Sequence, residues 1–227
     1  MHEVVLFGHI IVLVYWLGAD LGVFYASRFV IDPDVPPAGR AVAAKILHVV
    51  DLSPRICLIL ALPTGVALMA LDQRGEDVFG GWPLAAVVVG SLGWLALMLG
   101  AFYGQPGRRT DLVRLTDTVV RVVLVVVLTV AALYGAFADE PFGVETQAGW
   151  LAGKVFAYAV CIAGGLGIRA VMRPLGPALG AVVAGRGTAD DERVVATTIR
   201  AAVPWVFLVW AAVLVAAFLG VVKPGAA

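Results

Sequence analysis

The sequence predicts an all-α, polytopic bundle of about six transmembrane helices in a single domain, and three observations carry that prediction. Of 227 residues, 61% are hydrophobic and 14% charged, with a mean hydropathy of +0.97, too little polar content for a soluble domain of this length. Apolar segments recur near 4–27, 44–71, 82–104, 115–138, 148–172 and 198–221, each close to the ~20 residues that a helix needs to cross hydrocarbon. The basic residues, finally, collect on alternate connections.

The first segment lacks the basic leader and short apolar run of a cleaved signal peptide, so it is read as helix one. Gly18 and Gly22 give it a GxxxG pattern, while Gly90 with Gly93 and Gly164, Gly165 and Gly167 lighten helices three and five. Close helix packing is the favoured explanation, and room for a flat ligand is the other. Helix two contains Pro54 and Pro63 and helix six Pro204; each proline deletes an intrahelical hydrogen bond, which predicts bends and frees the carbonyls of Val50 and Ile59. Trp82 and Trp150 open helices three and five where an amphipathic indole suits the headgroup belt. Thr188-Ala-Asp-Asp191 reads as a capping box that starts a helix running into helix six.

Arg28 and Arg40 lie on connection 28–43, Arg108, Arg109 and Arg114 on 105–114, and Arg173, Arg186 and Arg193 on 173–197. Lys45, Arg121, Arg169 and Arg200 stand at the adjoining helix ends. The alternate connections hold Arg74 and are otherwise acidic, with Asp72, Glu76, Asp77, Asp139, Glu140 and Glu145. The positive-inside rule then puts both termini outside a bacterial inner (cytoplasmic) membrane, with lipid as the surrounding partner. The zero net charge argues against a nucleic-acid partner. Cys57 and Cys161 sit in apolar runs, and no nucleotide loop, GxSxG or HExxH is present, so no catalytic residue is singled out.

Helix two is the stretch around which a site is expected. His48, Asp51 and Arg55, spaced by three and four, share one helical face inside an apolar run, where ionisable groups are costly unless they face protein, water or a ligand. At 1.5 Å per residue, Asp20 lies roughly 10 Å from the inner end, His48 about 6 Å, Asp51 about 10 Å and Arg55 about 16 Å. These four are expected to form an inner polar cluster, either a site or a set of charges that neutralise one another and fix packing. His9, roughly 8 Å below the outer end, and Lys154 at similar depth are expected to form an outer pair. Trp16 shares the His9 face, and Tyr158 with Cys161 follows Lys154. The plainer alternatives are a packing histidine and a lysine reaching the interface.

His9, Trp16 seven residues later and Phe24-Tyr25-Ala26-Ser27-Arg28-Phe29-Val30 resemble the first helix of the HemJ-type protoporphyrinogen oxidases. Gly149-Trp150-Leu151-Ala152-Gly153-Lys154-Val155 is similar to their WLxxK helix and equally to the lysine helix of CopD-type copper proteins; Arg55 and Gly65 on helix two fit both groups. The first resemblance implies a bound haem b, with His9 as axial metal ligand and Lys154 near a porphyrin propionate. The second implies copper uptake, although Met69, Met98 and Met172 form no methionine array.

The leading expectation is a membrane protein that binds haem b or a porphyrin and has a redox role, as an electron carrier or an oxidoreductase acting on porphyrin. Its cofactor-binding candidates are His9, Lys154 and Arg55, with Trp16 and Tyr158. His9 and His48 differ in depth by roughly 20 Å, so they cannot serve one iron, and His9 is expected to be the sole histidine ligand. The alternatives are a transporter of copper or another small solute and a scaffold subunit of a larger membrane complex; the partners expected besides lipid are a redox partner or other membrane subunits.

Overall fold

The computed structural model describes residues 1–72, 75–138 and 149–224, all of whose regular structure is helical. In chain order the helices are α1 (His2–Ile31), α2 (Pro37–Val50), α3 (Leu52–Ala70), α4 (Glu76–Phe79), α5 (Trp82–Tyr103), α6 (Arg108–Phe137), α7 (Gly149–Val171), α8 (Leu175–Val183) and α9 (Ala189–Val222). Among the described residues, six stretches are long and apolar enough to cross a membrane: α1, α2 continued by α3, α5, α6, α7 and α9. The chain is therefore an all-α polytopic membrane bundle. Arg74, Asp139, Glu140 and Glu145, four of the charges used to assign sides, lie outside the described residues.

The expected second span is two helices that break at Asp51. Pro54 explains the break, because its nitrogen has no hydrogen to donate to the Val50 carbonyl, whereas the Asp51 N–H still closes onto Leu47 O at 3.0 Å. Pro63, deeper in α3, is accommodated without ending the helix. Connection 173–197 holds α8, a further element too short to span. Its apolar face closes a small core at the basic end with Val30, Ala43, Val195 and Ile199. The capping box is present: Thr188 Oγ1 accepts from the Asp191 N–H at 3.2 Å and the Asp191 carboxylate from the Thr188 N–H at 2.8 Å.

Neighbouring spans pack in chain order, α1 on α3, α3 on α5, α5 on α6, α6 on α7 and α7 on α9, and α9 returns to α1. This closes a ring around a core of Trp16, Ile59, Trp94, Met98, Ile162 and Val213. Two glycines let α7 and α9 approach closely. A Cβ at Gly164 would stand 2.5 Å from Val209 Cγ2, and one at Gly167 2.5 Å from the Trp205 ring. Gly18, Gly90, Gly93 and Gly165 have no such neighbour within 4 Å, so close packing does not account for them.

Candidate functional site

The ring has two ends: an N-terminal end, where α1, α5 and α7 begin, and a basic end, where α1 and α5 finish and α6 starts. His9 lies in the N-terminal half. Its Nδ1 is 2.7 Å from Thr64 Oγ1, and that hydroxyl is also 2.7 Å from the Leu60 carbonyl. A hydroxyl has one hydrogen, and the Leu60 carbonyl can only accept it, so Thr64 accepts from Nδ1–H. A neutral His9 is thereby held in the tautomer whose Nε2 lone pair is free, the arrangement that orients metal-binding imidazoles.

Lys154 on α7, expected at the depth of His9, is within electrostatic reach of it, while the imidazole's hydrogen-bond partner is Thr64. The Lys154 ammonium lies against α9, where a Cβ at Gly220 would be 2.9 Å from Nζ. No carboxylate of the described residues pairs with Lys154, and its other charged neighbour, Lys223, is a cation stacked 5.3 Å over the Trp150 ring. One turn above His9 and Thr64, Val5 and Ala67 line an open recess of about 590 Å³ between α1, α3 and α5.

The polar residues of helix two separate. Arg55 Nε donates to Asp51 Oδ2 at 2.7 Å, and Nη2 bonds the same oxygen. Asp20 faces Asp51 together with the indoles of Trp16 and Trp210. Trp210 Nε1 is sealed from solvent and turned toward the Asp20 carboxylate. His48 makes no ion pair with either aspartate; its ring is stacked on Phe102 of α5 at 4.5 Å with planes 5° apart. Tyr158 donates its hydroxyl to Leu58 O at 2.7 Å, one residue before the carbonyl freed by Pro63. Trp16 is buried in the central core, and Cys161 Sγ lies 3.8 Å from the Val209 carbonyl.

The most buried charges were not singled out in the sequence. Asp117 on α6 is 0% exposed and Arg121, one turn later, 2%. Asp117 Oδ1 accepts from Trp94 Nε1 at 2.9 Å, and Arg121 Nε lies 3.3 and 3.2 Å from the two carboxylate oxygens. Arg169 Nη1 of α7 bonds Oδ2, and the Arg121 guanidinium lies 5.1 Å over the Trp94 ring. Arg55 is within electrostatic reach of Arg121, which links this network to the Asp51 pair. A usable signal existed: Asp117 and Arg121 repeat, inside an apolar run, the i,i+4 spacing of Asp51 and Arg55.

The described residues contain no group of three His, Cys, Asp or Glu side chains able to enclose a bare metal ion. Among the described residues, the site chemistry on offer is thus one free imidazole nitrogen and, within electrostatic reach, a lysine with no carboxylate partner, and separately a buried arginine–aspartate network. No protein-family profile, curated protein or solved structure matches the chain.

Proposed function

We propose that this membrane protein binds haem b or a related porphyrin in the N-terminal half of the bundle and serves a redox role. The observation that carries the reading is the orientation of His9, whose Nδ1–H is committed to Thr64 while Nε2 has no partner among the described residues. Lys154 adds the second requirement. A half-buried ammonium that pairs with no carboxylate of the described residues is costly, and a ligand that brings its own carboxylate relieves that cost. The residues therefore fit the group: His9 would hold the iron and Lys154 a propionate. The bound haem would supply a one-electron iron couple.

The protein's own part is positional. Thr64 holds the imidazole plane and tautomer, and Lys154 provides positive charge on the side of α9. Arg55, a candidate for the same role, has its charge matched by Asp51 and is left out of the site. A copper transporter has less support, since no group of three His, Cys, Asp or Glu side chains converges among the described residues. Haem titration of the purified protein tests the proposal. Lys154→Met is expected to weaken binding several-fold with the Soret position unchanged, and Thr64→Val to shift the band. Parent-like affinity and spectrum in both variants would remove the two supports on which the reading stands.

A further inference from the structure

The N-terminal end of the bundle is electrically two-sided. On the side of α1, α3 and α5, Glu76 and Asp77 stand exposed on the rim of the open recess. On the side of α7 and α9 stand Lys154 and Lys223, within electrostatic reach of each other. Neither lysine forms an ion pair with a carboxylate of the described residues.

Two like charges repel, so their meeting needs a cause in the chain, and the local structure draws them together. Gly220 leaves bare backbone on α9 where the Lys154 chain lies; a Cβ there would be 2.9 Å from Nζ and 3.6 Å from Cε. Lys223 caps α9 with φ 46° and ψ 57°, the only residue other than glycine with a positive φ among those described. Its ammonium rests 5.3 Å over the ring of Trp150. Trp150 and Lys154 are four residues apart and so share a face of α7, which brings both ammoniums to that one face. The C-terminus of α9 offers about half a negative charge, too little to match the two of them.

A haem carries two propionates side by side. Resting on the haem reading above, we propose that Lys154 and Lys223 hold one propionate each, with Trp150 as the positioning residue for Lys223. The carboxylate edge of the macrocycle then lies on the side of α7 and α9, away from Glu76 and Asp77, which would repel it. Lys223 is exposed, so this edge is reached from the membrane interface and no closed cavity is needed for it.

The dimethyl ester of haem, in which both carboxylates are blocked, separates this role from a structural one. Parent and variants in phosphatidylcholine nanodiscs would be titrated with haem and with the ester by Soret absorbance, counting as binding only the signal that His9→Ala loses. The parent is expected to bind haem several-fold more tightly than the ester. Lys154→Met and Lys223→Met should each weaken haem binding several-fold, the double variant more than either, and all three should bind the ester as the parent does. Lys223→Arg should keep the parent affinity for haem. Should Lys154→Met not fold, Lys223→Met, at an exposed position, carries the test alone. Equal affinity of the parent for haem and ester would overturn the inference while leaving His9 as ligand. Unchanged haem binding in Lys223→Met, which would leave that lysine to lipid phosphates, or an equal loss of haem and ester in it, would do the same. No Soret binding of either porphyrin would remove the haem reading and this inference with it.

Discussion

Asp117→Asn is expected to be the most destabilising conservative change in the bundle interior. Asparagine preserves shape and leaves an oxygen for the Trp94 N–H, so packing and that hydrogen bond survive. The charge does not survive, and Arg121, 2% exposed, is left facing Arg169 with no negative charge between them. Stranding one member of a buried pair costs about 3–5 kcal/mol. The partly exposed Arg169 contact adds no more than about 1 kcal/mol. Asp51→Asn should cost clearly less, because its pair with Arg55 is a quarter to a third open, at 26% and 33%. Equilibrium unfolding in mixed micelles with rising SDS fraction, followed by tryptophan fluorescence, measures both. Adding Arg121→Met to Asp117→Asn removes the stranded charge and should recover part of the loss. The reasoning fails if Asp117→Asn lies within about 0.5 kcal/mol of the parent, the range of unremarkable surface changes. It fails equally if the double variant is no better than the single.

Three other outcomes follow from the geometry. Gly167→Ala puts a methyl 2.5 Å from the Trp205 ring and should destabilise by about 1–3 kcal/mol, whereas Gly165→Ala meets nothing within 4 Å and should be neutral or stabilising; the opposite order in the same unfolding assay would refute the α7–α9 contact. Arg40, 3% exposed, holds Glu192 through Nη1 and Nη2 at 2.7 and 2.8 Å and Val30 O through Nε at 2.8 Å, so Arg40→Gln should lower the Tm more than Glu192→Gln, whose side chain is 43% exposed. Six spans place both termini on one side, and the basic connections predict that this side is extracytoplasmic, so a C-terminal alkaline phosphatase fusion should be active and a C-terminal GFP fusion dark.

Most of the architecture was legible because apolar length is a direct consequence of bilayer thickness, and α1, α5, α7 and the apolar part of α9 follow the expected segments closely. α8 was not legible, since its nine residues, Leu175–Val183, are too few for a span and, with Gly176, Pro177 and Gly180 among them, resemble a loop until Val30 and Val195 are seen beneath them. That Lys154 comes within electrostatic reach of His9 accords with their depths, because antiparallel spans convert residue number into height. Azimuth around each helix is not given by depth, and His48 shows the consequence: at the expected level it turns toward Phe102 rather than Asp20. Arg121 was hidden for a related reason. Its place near a basic connection made it one more positive charge at a helix end, while Trp94 under its guanidinium and Arg169, which shares Asp117 with it, belong to other spans that only packing brings together.

The central claim, a haem held by His9, is tested most directly by the absorption spectrum of haem-loaded parent, His9→Ala and His48→Ala proteins. The account predicts a Soret band in the parent, its loss or displacement in His9→Ala, and a parent-like band in His48→Ala. Equal loss in both variants, or no band in any preparation, would contradict it.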